Sequence, residues 1–143
     1  MAKVLYTAHA IVSGGRNGHG STSDGALQLD LRRPTEMGGE GGGTNPEELF
    51  AVGYAACFEG AMGAVARRLK VEEGEVTIRS AVSLTPNGSG GFFLSVTLDV
   101  SVPAIEDKAL KIELIKGAHE VCPYSNATRG NIEVELLLDG EAI

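Results

Sequence analysis

The sequence predicts an α+β fold, on three observations. Strand-type segments lie near the N-terminus, a long apolar helical run follows a glycine-rich stretch, and the second half places two β-type segments about a glycine turn before an amphipathic helix and a last strand. Strands and helices do not alternate regularly, and no internal repeat is evident. With 143 residues, 43% of them apolar, the chain is of single-domain size, and one domain is expected over residues 1–143.

Each element has a local reason. β-branched and aromatic residues in "KVLYTAHAIV" favour a strand over residues 3–12, and "GGRNGHG" then turns the chain. "ALQLDL" alternates apolar and polar side chains and predicts a second strand over 26–31. The glycine-rich "PTEMGGEGGGTNPEE" lacks the lysine of a phosphate loop and carries Glu40, Glu47 and Glu48, so it is read as a loop closing on a helix start. There Asn45 is the N-cap, Pro46 the first helical residue and Glu48 the third residue after the cap. That helix runs to about Lys70, where "RRLK" complements the C-terminal end of the helix dipole. Its apolar stretch from Phe50 to Ala66 is 17 residues, barely of membrane-spanning length, with Glu59 inside and Arg67 just after; a core helix enclosed by other elements is expected.

"EVTIRSAVSLT" and "FFLSVTLDVSV" flank "PNGSGG" and predict a hairpin. Leu110, Leu114, Ala118 and Val121 then recur at helical spacing in a helix that ends at Cys122, because Pro123 disfavours continuation. "NIEVELLLDG" supplies the last strand.

Twelve basic residues against 19 acidic ones give a formal charge of -7, which disfavours a nucleic-acid partner. The N-terminus lacks the apolar core of a signal peptide, so a cytoplasmic, reducing setting is expected, with no membrane span. In that setting the two cysteines, Cys57 and Cys122, are inert buried thiols, a metal site or a redox device. The metal or ligand-binding alternative would use His119, one helical turn before Cys122, as a third group beside the thiols. A reactive thiol needs a positive neighbour, and the middle of a long helix supplies little from its dipole.

"GGR" at residues 14–16, "TNPEELFAVGYAACF" at 44–58 and "HEVCPYSNATRGNI" at 119–132 closely resemble the organic hydroperoxide resistance (Ohr) branch of the OsmC superfamily. The similarity runs in order over nearly the whole chain. The resemblance implies antiparallel-rich sheets around a buried helix, an intertwined homodimer and a thiol peroxidase without metal or haem. It implies that Cys57 is the peroxidatic residue and Cys122 the resolving one, and that Arg16 with Glu47 forms a charged pair activating Cys57. The substrate implied is an organic or lipid hydroperoxide, and the reductant an external dithiol, lipoyl groups on a partner protein. Tyr54, Phe58, Ala61 and Met62, around Cys57 in sequence, suit such an apolar substrate. Glu47 and Cys57 stand ten residues apart on one predicted helix, about 15 Å of rise. Either the helix breaks near Gly53, or Arg16 and Glu47 serve the Cys57 of the neighbouring subunit; the second is expected.

Overall fold

The computed structural model describes residues 2–143, which form two compact units, one up to Leu49 and one from Phe50. In the first, β1 (Ala10–Ser13), β2 (His19–Thr22) and β3 (Gln28–Asp30) make an antiparallel meander, with Val12 opposite Gly20 and Gly20 opposite Leu29. Only the end of the strand expected over 3–12 forms, because the earlier residues have no strand beside them. Val4, Leu5 and Tyr6 stay exposed, Leu5 at 98%. β2 was hidden in the sequence by its glycine and histidine; it forms because its backbone has a ladder partner on both sides.

Helix α1 (Pro46–Leu69) starts as expected: Asn45 Oδ1 accepts the Glu48 backbone N–H at 2.9 Å, while the Glu48 carboxylate takes the Thr44 hydroxyl. It runs through Gly53 without a break and stops where Lys70 adopts a left-handed φ of 58°. Tyr54, Phe58, Ala61, Met62, Val65 and Ala66 form one buried stripe, whereas Val52 on the other side is 71% exposed.

The second unit holds the main core. β4 (Thr77–Pro86) and β5 (Phe92–Ser101) make the expected hairpin, its turn fixed by Asn87 Oδ1 accepting from the Ser89 and Gly91 N–H groups. β6 (Val134–Leu138) pairs parallel to β5, and β7 (Glu141–Ala142) closes antiparallel to β6. The sheet order is β4-β5-β6-β7. Such a parallel pair needs a crossover. It is supplied by α2 (Lys108–Val121), capped by Asp107, and α3 (Pro123–Thr128), a short helix where no element is expected from the sequence. Val96, Leu98 and Val100 of β5 meet Leu114, Ile115 and Ala118 of α2 and the buried stripe of α1 in one core. At about 25 cal/mol per Å² of apolar area removed from water, burying each large side chain of this cluster contributes roughly 1.5–3 kcal/mol.

Candidate active site

In the first unit, Arg16 sits in a 3₁₀ turn (Gly15–Asn17) entered through Gly14 at φ 80°, where a Cβ would also stand 2.7 Å from the Gly18 Cα. Thr44 returns alongside β3, donating to Asp30 and accepting from Arg32 through its backbone, and so delivers the first turn of α1 beside that loop. The Arg16 guanidinium then donates twice to Glu47, at 2.9 and 2.8 Å, in a bidentate pair with Glu47 the better shielded, 15% exposed against 34%. The Arg16 hydrogen bond lowers the Glu47 pKa, and the Glu47 hydrogen bond raises that of Arg16. The depressed carboxyl fixes the sign: the pair's contribution to stability is present above the ordinary glutamate range and is lost as pH falls through the lowered value.

In the second unit, Cys57 is half-buried on α1 and Cys122 fully buried at the α2–α3 junction. Pro123 keeps Cys122 extended, at ψ 125°, so that it ends one helix and opens the next. Its backbone is held on both sides: its N–H donates to Ala118 O at 2.8 Å, and its carbonyl accepts from Asn126 at 2.9 Å. Both thiols are free, and the Cys122 thiol donates to the Cys57 sulfur at 3.4 Å. Burial pushes the Cys57 thiol pKa up, the Tyr124 backbone N–H facing the sulfur opposes this, and Cys122 adds to the rise. No cation from residues 50–143 is among the groups that shift it.

Tyr124 connects the thiol to an apolar cleft of about 790 Å³, whose walls include Phe50, Phe92, Phe93 and Tyr124, with Asn131 as a polar contribution. Phe50, Tyr54 and Tyr124 also stack edge-on or tilted, with centroids 5.6–6.0 Å apart. A Cβ at Gly53 would lie 2.8 Å from the Tyr124 hydroxyl and 3.3 Å from its Cζ. Gly53→Ala therefore gains up to about 1 kcal/mol of helix propensity but pushes the ring, and with it the N–H at Cys57. Its expected result is a melting temperature close to wild type with Cys57 alkylation at neutral pH slowed roughly threefold, since losing that N–H raises the thiol pKa. Unchanged labelling would show that Gly53 does not fix Tyr124.

A family model described as OsmC-like protein matches residues 39–137. The chain belongs to the OsmC-like family. Within it the Ohr branch is indicated by an organic hydroperoxide resistance protein of Xanthomonas axonopodis pv. citri, 56% identical over 138 residues, 95% of this chain and 96% of that one. Two solved structures agree. An organic hydroperoxide resistance protein from Legionella pneumophila shares 51% identity at a TM-score of 0.91, covering 95% of this chain and 98% of that one. The organic hydroperoxide resistance protein OhrB of Bacillus subtilis shares 45% identity at a TM-score of 0.85, covering 94% and 99%.

In this OsmC-like chain the four residues singled out in the sequence fall into two pairs, Arg16 with Glu47 and Cys57 with Cys122. His119 does not join the thiols: its Nδ1 meets Ser125 Oγ at 2.8 Å. Among the described residues, no three His, Cys, Asp or Glu side chains converge as a metal site. The apolar surround needs correction. Tyr54, Phe58, Ala61 and Met62 point into the core, and the open apolar wall comes from Phe50, the tip of the β4–β5 hairpin and α3. Sequence reasoning missed it because Phe92 and Phe93 are remote along the chain; their one visible signal was an aromatic pair directly after a polar turn. It also missed the Tyr124 N–H, which faces Cys57 only because α3 exists.

Proposed function

We propose that this protein is a cysteine-based peroxidase that reduces organic hydroperoxides to alcohols. The observation that carries the reading is the pair of free thiols 3.4 Å apart, one half-buried and one fully enclosed. Bringing them to the ~2.05 Å of a disulfide takes little more than a 1 Å approach. The Cys57 thiolate attacks the distal oxygen, the O–O bond breaks, the alkoxide leaves and is protonated to the alcohol, and the sulfur becomes a sulfenic acid. Cys122 then attacks that sulfur, the S–O bond breaks, and water departs with the Cys122 proton. Two thiols have supplied the two electrons, so the chemistry calls for no bound cofactor. The apolar cleft joined to the site by Tyr124 favours a hydroperoxide with a carbon skeleton, and the names of the Ohr relatives point to the same substrate class.

Arg16 is proposed as the cation that holds Cys57 as thiolate and stabilises the leaving alkoxide, with Glu47 orienting the guanidinium. The working form is proposed to be an intertwined homodimer in which Arg16 and Glu47 of one copy serve Cys57 of the other. Exposed Leu5, Tyr6, Ile11 and Val12 in the first unit and Val52 on α1 are apolar surface for a second copy to cover. Turnover needs an external dithiol to reopen the disulfide, and lipoyl groups on a partner protein in the cytoplasm are the proposed source.

The test is stoichiometric. Reduced protein mixed with one equivalent of cumene hydroperoxide is expected to lose two thiols and yield one cumyl alcohol. It should react faster with cumene or fatty-acid hydroperoxide than with hydrogen peroxide, because the organic group contributes binding free energy. No hydroperoxide consumption would overturn the peroxidase reading, and a preference for hydrogen peroxide would overturn the substrate class.

A further inference from the structure

We propose that a buried hydroxyl network, Tyr54, Ser125 and Thr128 closed by His119, positions Cys122 for its attack on Cys57; the proposal rests on the peroxidase reading above. Ser125 is fully buried and Thr128 5% exposed, among side chains that are otherwise apolar. Tyr54 Oη meets Ser125 Oγ at 2.8 Å and Thr128 Oγ1 at 3.1 Å, and His119 Nδ1 meets the same Ser125 Oγ at 2.8 Å. Both outer anchors stand three residues before a cysteine: Tyr54 before Cys57 on α1, and His119 on α2 before Cys122, the residue that caps that helix. On a helix that spacing is one turn along the same face. The network therefore ties the turn carrying one thiol to the turn carrying the other, and suspends α3, which opens at Cys122, between them.

Proton counting gives the network a direction. The Thr128 hydroxyl donates to the Ser125 carbonyl at 3.2 Å, so Thr128 Oγ1 accepts from Tyr54 and Tyr54 accepts from Ser125. These three contacts use all three hydroxyl protons. The fourth, between Ser125 and His119, must be donated by His119 Nδ1. Burial, with Arg129 adding to it, lowers the His119 pKa, which fits a neutral ring protonated on Nδ1. Arg129 completes the frame, donating to the His119 carbonyl and, at 2.8 Å, to Asn126 Oδ1. A dry core would be held as well by apolar side chains. Directional bonds instead hold one arrangement of the three helices, and the thiol separation depends on that arrangement.

Position matters because the sulfenic acid has two fates. Attack by Cys122 yields the disulfide and water, whereas a second hydroperoxide oxidises the sulfur to a sulfinic acid and releases a second alcohol. Tyr54, Ser125, Thr128 and His119 are positioning residues for the first fate. The test uses Ser125→Ala and Tyr54→Phe in reduced full-length protein with cumene hydroperoxide, read by stopped-flow and intact mass. The first equivalent should be consumed at nearly the wild-type rate, while disulfide closure slows roughly tenfold and the sulfinic form accumulates. Thr128→Ala should likewise slow closure, and Thr128→Ser should restore it. Val100→Ala, a core truncation in β5, sets the level for mere destabilisation and should leave the partition unchanged. A second readout needs no peroxide: the effective concentration of the thiol pair, measured against oxidised dithiothreitol, should fall in the same variants. Wild-type closure and effective concentration in Ser125→Ala and Tyr54→Phe, or an equal shift in Val100→Ala, would overturn the proposal. Loss of wild-type peroxide consumption with the dithiothreitol differences intact would instead overturn only the peroxidase reading.

Discussion

Cys57→Ser is expected to bring hydroperoxide consumption down to background, whereas Cys122→Ser should still consume about one equivalent in its first step. The asymmetry follows from burial. Cys57 is half-buried on α1 with a backbone N–H facing its sulfur, while Cys122 is wholly enclosed and presents its thiol to Cys57. A hydroxyl at position 57 is a far weaker nucleophile at neutral pH than a thiol. At position 122 the first oxidation survives, but the sulfenic acid has no thiol to close with. It should be trapped by a dimedone-type reagent, or pass to the sulfinic form with excess hydroperoxide. Equal, mild losses in both variants, by peroxide consumption and intact mass, would remove this division of labour.

Arg16→Ala should slow hydroperoxide reduction roughly 10- to 100-fold, the scale of a lost hydrogen bond to a charged group. Burial already holds the Cys57 pKa up, so removing the proposed cation raises it further and moves the midpoint of the pH–rate profile to higher pH. Arg16→Lys should recover only part of the rate, because it keeps the charge but loses the planar fork that grips Glu47 at two points. The same variant decides where the cation comes from. α1 runs unbroken through Gly53, so it does not fold back there. Cys57→Ser protein dissociated and reassociated with Arg16→Ala protein should regain up to one working site in each mixed dimer, since one copy still offers Arg16 and the other Cys57. No recovery in verified mixed dimers would place each site within one chain.

The sequence by itself determined what depends on near neighbours. Asn45, Pro46 and Glu48 announced the start of α1 within one turn, and Pro123 announced the end of α2, because capping and the steric effect of proline are local. The β4–β5 hairpin was legible from its turn chemistry. The motifs around Cys57, Cys122, Arg16 and Glu47 named the candidate residues and the family before any geometry. What required partners far along the chain was hidden. β2 exists only by pairing on both sides, and the early part of the strand expected over 3–12 fails to form in the single chain for want of a neighbour. The parallel pairing of β5 with β6 is decided by the α2–α3 crossover rather than by either strand's residues. Only the tertiary structure placed Cys122 at 3.4 Å from Cys57, turned Tyr54 inward to Ser125 and brought Phe50 to the same wall as Phe92 and Tyr124. Side-chain direction and packing across elements set those distances, and residue order constrains them only through the whole fold.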